Sequence, residues 1–208
     1  MALEFGPDWQ QDFALSPYSL RFDLGDIDQL PNNYVTRFIA TLERARSLAR
    51  ASLESKSLVA VIAASPAPER ELNSKHHGWP KGVSAFAHLT DLGVVTDTPL
   101  ASFADYFWSS DRDAPEQEPW VHRVISITWR DADILLCNQI AYELGVSPVA
   151  PVQSKLLDPD KGVLVHAYDD RGMDVTSIER SETQSLYEKH KAWLLDHDRK
   201  RMAAVFGH

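Results

Sequence analysis

The chain of 208 residues contains one cysteine, Cys137. An intramolecular disulfide is excluded and a cysteine-rich zinc site cannot be assembled, which suits a reducing compartment. Long apolar runs are also missing. The longest, "LVAVIAA" from Leu58 to Ala64, falls far short of the roughly 18 to 20 residues that span a bilayer, so no membrane partner is expected. The opening "MALEFGPDWQQDFALSPYSLRF" lacks a basic run followed by an apolar core, and Glu4, Asp8 and Asp12 would interrupt one. The expectation is a cytoplasmic protein without an export leader. No glycine-rich phosphate loop, G-x-S-x-G elbow, H-E-x-x-H helix or paired-cysteine site occurs. An enzymatic reading therefore starts without a motif, and neither a cofactor nor a structural metal is expected. Positive charge is in short supply as well. A formal net charge of -9 argues against a nucleic-acid partner, because binding a polyanion relies on Lys and Arg displacing counterions.

The composition that remains, 44% hydrophobic and 25% charged, is that of a folded protein. A single domain over residues 1–208 is expected, with flexible loops at 66–82 and 109–119. The negative excess is concentrated in two segments. In residues 1–30, Glu4, Asp8, Asp12, Asp23, Asp26 and Asp28 are opposed by Arg21 alone; in residues 103–120, Asp105, Asp111, Asp113, Glu116 and Glu118 are opposed by Arg112 alone. The second segment also carries Phe103, Tyr106, Phe107, Trp108 and Trp120. Acids beside aromatics combine steering charge with contact area. Asp105, Tyr106, Trp108, Asp111, Asp113, Glu116 and Glu118 are accordingly the candidate partner-binding residues. The competing reading makes the aromatics core and the acids a solvated spacer.

Periodicity supplies the elements. "SLRFDL" alternates Leu20, Phe22 and Leu24 with polar residues and reads as a half-buried strand. From about Asn33 to Leu53, apolar residues recur at three and four, giving a helix with Arg37, Arg44, Arg46 and Arg50 on its other faces. "SLVAVIAA" reads as a buried strand, so the chain opens in a βαβ-like manner. Residues Val83 to Leu92 form a short helix ended by Gly93. "WVHRVISITW" alternates as a strand. A helix beginning near Asp131 or Asp133 stops at Gly145, a natural left-handed cap, with Cys137 as a small buried hydrophobe in its middle. His76 and His77 lie in a Pro- and Gly-rich loop without a nearby acid or cysteine spaced to join them on a metal. The fold class that follows is α/β, with α+β as the alternative: a central mixed or antiparallel sheet flanked by helices.

"GVLVHAYDDRGMDVTSI" contains two alternating segments around "DDRG" and reads as a β-hairpin, Gly172 supplying a positive φ. His166 and Tyr168 fall on one face of it, Val165 and Ala167 on the other. A terminal helix or broken helical pair follows, with Ser181 as its N-cap. The run Tyr168, Asp169, Asp170, Arg171, Gly172, Met173 and Asp174, then Leu186 and Tyr187, then Trp193, Leu194, Leu195, Asp196, Asp198 and Arg199, is similar to the C-terminal signature of the bacterial domain of unknown function 3885 family. The opening Leu20 to Gly25 also resembles that family's N-terminal motif. The resemblance implies no assigned chemistry.

Clustered carboxylates do take hard cations or act as bases. A small metal-assisted hydrolase or transferase using Asp169, Asp170 and Asp174, with His166 nearby, is therefore the enzymatic alternative. The residue pattern favours a structural turn instead. The leading expectation is a non-enzymatic binding protein, in its most concrete form an immunity-type antitoxin that covers a basic toxin domain. A structural subunit of a larger assembly is a third reading.

Overall fold

The computed structural model describes residues 5–6, 8–25, 33–54, 57–64, 85–105 and 120–207. Among these residues, seven strands form one sheet: β1 (Ser19–Asp23), β2 (Val59–Ala64), β3 (Ala101–Asp105), β4 (Trp120–Ser126), β5 (Val152–Asp158), β6 (Val163–Ala167) and β7 (Gly172–Ser177). Their order is β1-β7-β6-β5-β2-β4-β3, and every neighbouring pair is antiparallel. The fold is thus α+β. The βαβ-like opening needs a correction. β1 sits at one edge and β2 is separated from it by β7, β6 and β5, so the helix between them crosses three strands that arrive only later in the chain.

Helices α2 (Tyr34–Ser52), α3 (Ala85–Asp91), α4 (Trp129–Leu144), α5 (Arg180–Lys189) and α6 (Arg199–Phe206) contribute to one large core. Leu48, Leu89, Leu135, Ile140, Leu186 and Phe206 meet Leu20, Phe22, Ile62, Leu156, Val165 and Val175 from the sheet. Strand alternation sends the intervening residues to the opposite face, where Val59, Val61, Val124, Leu157 and Leu164 form a second cluster. The chain's own start covers that cluster. Trp9 and Phe13, packed edge to face at 6.3 Å, lie over it from a segment containing the short helix α1 (Gln11–Leu15). This double covering explains why all six β2 residues are buried.

The arginines of α2 are structural. Asn33 caps the helix by accepting from the Val35 and Thr36 amides. Arg46 and Arg50 converge on Asp133 of α4 at 2.7 and 2.9 Å, and Arg50 also stacks over Trp129 at 4.6 Å. Arg44 donates to the Asp23 carbonyl and lies over Trp193. Helix α4 begins earlier than expected, at Trp129, because Thr128 and Asp131 form a reciprocal capping box. It ends as expected at Gly145, with φ of 66°. Burial raises the Cys137 thiol pKa, although the residue is only half-buried. The C-terminal pair is broken by two single 3-10 turns, Lys191–Trp193 and Asp196–Asp198. Glu179, not Ser181, occupies the N-cap of α5, and no side chain makes the capping bond.

Candidate functional site

The segments of the sequence that carry the family resemblance meet in space. Strand β1 pairs with β7 so that Arg21 faces Asp174, Phe22 faces Met173 and Asp23 faces Gly172. The Leu24 amide donates to the Arg171 carbonyl at 2.8 Å, and the Leu195 amide donates to the Arg21 carbonyl at 2.9 Å, beside an isolated bridge from Phe22 to Leu194. The outer edge of β1 is therefore partly closed by the segment that holds Trp193, Leu194 and Leu195. Arg21 grips Asp174 through two N–H groups, at 2.9 and 3.1 Å, and also reaches Asp198 at 3.0 Å. Hydrogen bonding to Asp174 holds the guanidinium firmly in its charged form.

The three carboxylates that a metal-assisted site would require go three ways. Asp169 completes the turn: its Oδ1 accepts from the Arg171 and Gly172 amides at 2.7 and 2.8 Å, and its Oδ2 accepts from the Arg171 side chain. Asp170 points to the helical side and ion-pairs with Arg37 of α2. Asp174 projects from β7 to the opposite face and is held by Arg21. Among the described residues, no group of three His, Cys, Asp or Glu side chains is placed to hold a metal ion.

Gly172 does not have the expected positive φ; Gly93, Gly145 and Gly162 are the glycines that do among the described residues. Its requirement is space. A Cβ at this position would fall 1.8 Å from the Tyr168 Oη and 2.2 Å from its Cζ, because the tyrosine, which directly follows β6, lays its ring across the glycine. Gly172→Ala is expected to cost about 1 to 3 kcal/mol by driving Tyr168 off its position. In a Tyr168→Ala background the same change should be almost neutral. Urea unfolding of the four proteins checks this, and strictly additive losses would refute the steric account.

The face that carries Tyr168 holds a polar row which the sequence did not single out as a unit. Arg21, Asp174 and His166 are opposed in register across β1, β7 and β6, and Lys155 continues the row on β5, opposite Val61 of β2. Lys155 is 7% exposed and donates to the side-chain carbonyl of Gln10, which arrives from the N-terminal segment. Burial lowers the Lys155 pKa to about 8, the nearby Asp174 charge opposing the shift. His166 is half-buried, and its ring packs against Tyr168 at 6.0 Å. Desolvation, with the Lys155 ammonium adding to it, pushes its pKa down to about 3, so the imidazole is neutral. Burial and the Asp174 charge push Tyr168 up to about 12. Between this row and α1 lies a cavity of about 170 Å³, lined by Gln10, Phe13, Ala14, Lys155, Leu164, His166, Asp174 and Thr176.

His166 and Asp174 were recognisable as chemistry-bearing residues, and the structure brings them together; Lys155 was missed. Its signal was present in "VQSKLLD", where Val152, Ser154 and Leu156 alternate with Gln153, Lys155 and Leu157. A lysine sharing a strand face with a buried leucine is a candidate for burial. Asp105 closes β3 opposite Trp120. Tyr106, Trp108, Asp111, Asp113, Glu116 and Glu118 lie outside the described residues, as do His76, His77 and the loops assigned to 66–82 and 109–119.

Fold and site together define an α+β protein whose helices occupy one sheet face while the N-terminal segment and a polar cleft occupy the other. The chain belongs to the family described as Domain of unknown function (DUF3885), whose model matches residues 3–198. No curated protein matches the chain, and no solved structure does. No helix among the described residues is long and apolar enough to cross a membrane.

Proposed function

We propose that this protein is a cytoplasmic, non-enzymatic binding protein, most concretely an immunity-type antitoxin that neutralises a toxin by covering its active surface. The observation that carries this reading is the internal use of the Tyr168–Asp174 carboxylates: Asp169 is bonded into its turn, Asp170 is paired with Arg37, and Asp174 is paired with Arg21. Catalysis by that cluster would require these pairs to be given up. The reading also rests on the chain's excess of acid, which is concentrated near the N-terminus and between Phe103 and Trp120 and suits a basic partner. A metal-assisted hydrolase or transferase built on Asp169, Asp170 and Asp174 has no convergent geometry behind it.

The experiment pairs the protein with the product of an adjacent toxin-like reading frame. Co-expression should restore growth, and the purified proteins should associate. Replacing Asp111, Asp113 and Glu116 together by lysine should slow association and weaken its salt dependence, since the attraction being screened has been removed. Circular dichroism and melting verify that the triple variant is folded. Unchanged association at low and moderate salt would remove this segment as the electrostatic docking surface.

A further inference from the structure

The two layers that cover the sheet are held in place differently. Helices enclose a large core on one face. The opposite face is covered, among the described residues, by the segment from Phe5 to Ser16, with Trp9 and Phe13 as its buried anchors. We propose that this segment is a detachable strap, which lifts from the sheet as a unit by turning at Ser16 and Pro17 while the sheet and the helical layer stay folded. Lifting it bares an apolar strip made by Val59 and Val61 of β2, Val124 of β4, Leu157 of β5 and Leu164 of β6. The strap is thus a cover over a surface that the closed molecule does not present.

The attachment of the strap is thin. Helix α1 has five residues and no side-chain bond at its N-cap, far below the length at which a helix sustains itself. The space around it is incompletely filled. A cleft of about 170 Å³ separates Gln10, Phe13 and Ala14 from parts of β5, β6 and β7, and another of about 340 Å³ runs past Asp12, Leu15 and Ile178. Strap atoms that face these clefts lack the packed neighbours that hold an interior together. Trp9 is buried, yet its indole Nε1–H has no hydrogen-bond partner, so closing the strap takes this donor out of water and gives it no acceptor in exchange. Leu15 is exposed and adds no apolar burial. Closure rests mainly on the Trp9 and Phe13 rings, four residues apart and both turned to the sheet.

The hinge lies where pairing begins. The Ser177 amide donates to the Tyr18 carbonyl at 3.1 Å, and from Ser19 onward β1 is locked to β7. Helix α1 ends at Leu15. Ser16 and Pro17 are left between a helix that moves and a strand that does not. The Ser16 hydroxyl donates to the Ser177 carbonyl and accepts from the Tyr18 amide, which fixes the direction in which the strap leaves the sheet. Further along, Lys155 donates to Gln10. Both ties join parts of the chain far apart in sequence, so they form and break with the strap as a whole.

The test uses two positions on opposite faces of the one sheet. Val61 and Val165 are each 1% exposed, the first under the strap and the second under the helices. Val61→Cys and Val165→Cys, each in a Cys137→Ala background that removes the native thiol, are reacted with dithionitrobenzoate in rising, sub-denaturing urea. Without urea the Val61→Cys thiol should react about a hundredfold faster than the Val165→Cys thiol, since local opening is more frequent than global unfolding. Its rate should change little with urea, because opening the strap exposes little surface, whereas the Val165→Cys rate should climb with global unfolding. Hydrogen exchange of the Ala14 amide, which donates to the Gln10 carbonyl, should report the same opening equilibrium as the Val61→Cys thiol. Trp9→Ala should speed the Val61→Cys reaction about tenfold or more by removing an anchor. If Val61→Cys does not fold, Val124→Cys replaces it, with Ile125→Cys as its counterpart on the helical face. Equal rates with equal urea dependence on the two faces would overturn the proposal. So would an Ala14 amide that exchanges readily while Val61→Cys reacts only through global unfolding, which is fraying of α1 without detachment.

Discussion

Asp170→Ala is expected to lower the unfolding free energy by about 3 kcal/mol and Arg171→Ala by less than about 1 kcal/mol, although the two residues are adjacent in one turn. The difference comes from where each side chain goes. Asp170 is buried and pairs with Arg37, whose side chain is 25% exposed, so removing the acid leaves a largely enclosed guanidinium without this partner. The Arg171 side chain is 64% exposed, where water and salt replace most of what its bond to Asp169 supplies. Breaking the Asp170 pair also loosens α2 from the β6-β7 turn, which is a tertiary contact between residues far apart in the chain. For a chain of this length, 3 kcal/mol corresponds to a melting-temperature decrease of roughly 6 to 12 °C. Equal losses in the two variants, measured by urea unfolding, would show that the turn acts locally and that the Arg37 pair contributes little.

The same turn shows what could be read in the sequence and what could not. The hairpin was legible because Val163, Val165 and Ala167 alternate with Leu164 and His166, and a period of two has one structural meaning when glycine and aspartate interrupt it. The α2 helix was legible for the corresponding reason, at a period of three and four. The role of Gly172 was not, because a glycine needed for φ and a glycine needed for space look identical until the ring of Tyr168 is located across the strand. The start of α4 was missed because Thr128 sits at the end of an alternating stretch, and Thr-x-x-Asp is a weaker capping pattern than Thr-x-x-Glu.

Topology was the hardest quantity to read. Leu20, Phe22 and Leu24 revealed which face of β1 is buried, yet nothing local to β1 or β2 shows that β5, β6 and β7 will lie between them. That depends on pairings of high sequence separation. The candidate cleft inherits this difficulty. Arg21, Lys155, His166 and Asp174 lie on four strands, and their proximity follows from strand order and register alone. Asp169, Asp170 and Asp174 were adjacent in sequence and therefore conspicuous, but alternation and the turn send them to different partners.

The cleft should dominate the pH dependence of stability between pH 5 and pH 10, because Lys155 and His166 titrate differently there in the folded and unfolded chains, whereas burial pushes the Tyr168 titration above that range. Lys155 has a pKa of about 8 when folded, against an ordinary value of 10.5. Between those values the unfolded chain binds more protons, so stability should rise as pH increases from 8 toward 10.5, and below pH 8 the buried ammonium costs about 3 kcal/mol in full. Lys155→Met, which fills the same space without a charge, should therefore be more stable than the parent at pH 7 and lose this alkaline rise. His166 acts in the acid range. Its folded pKa of about 3 lies below the ordinary 6.5, so the unfolded chain again binds more protons, and stability should fall as pH drops below 6.5, by about 2 kcal/mol at pH 5. His190, whose pKa is also lowered by burial, adds to the fall, while Glu143, held above its usual value by desolvation and by Asp169 and Asp170, opposes it. His166→Gln should remove the larger part of the acid loss while leaving the alkaline rise intact. Urea unfolding of the parent and both variants from pH 5 to pH 10 separates the two groups. An alkaline rise that persists in Lys155→Met, or an acid loss unchanged in His166→Gln, would place the responsible titrations outside the cleft.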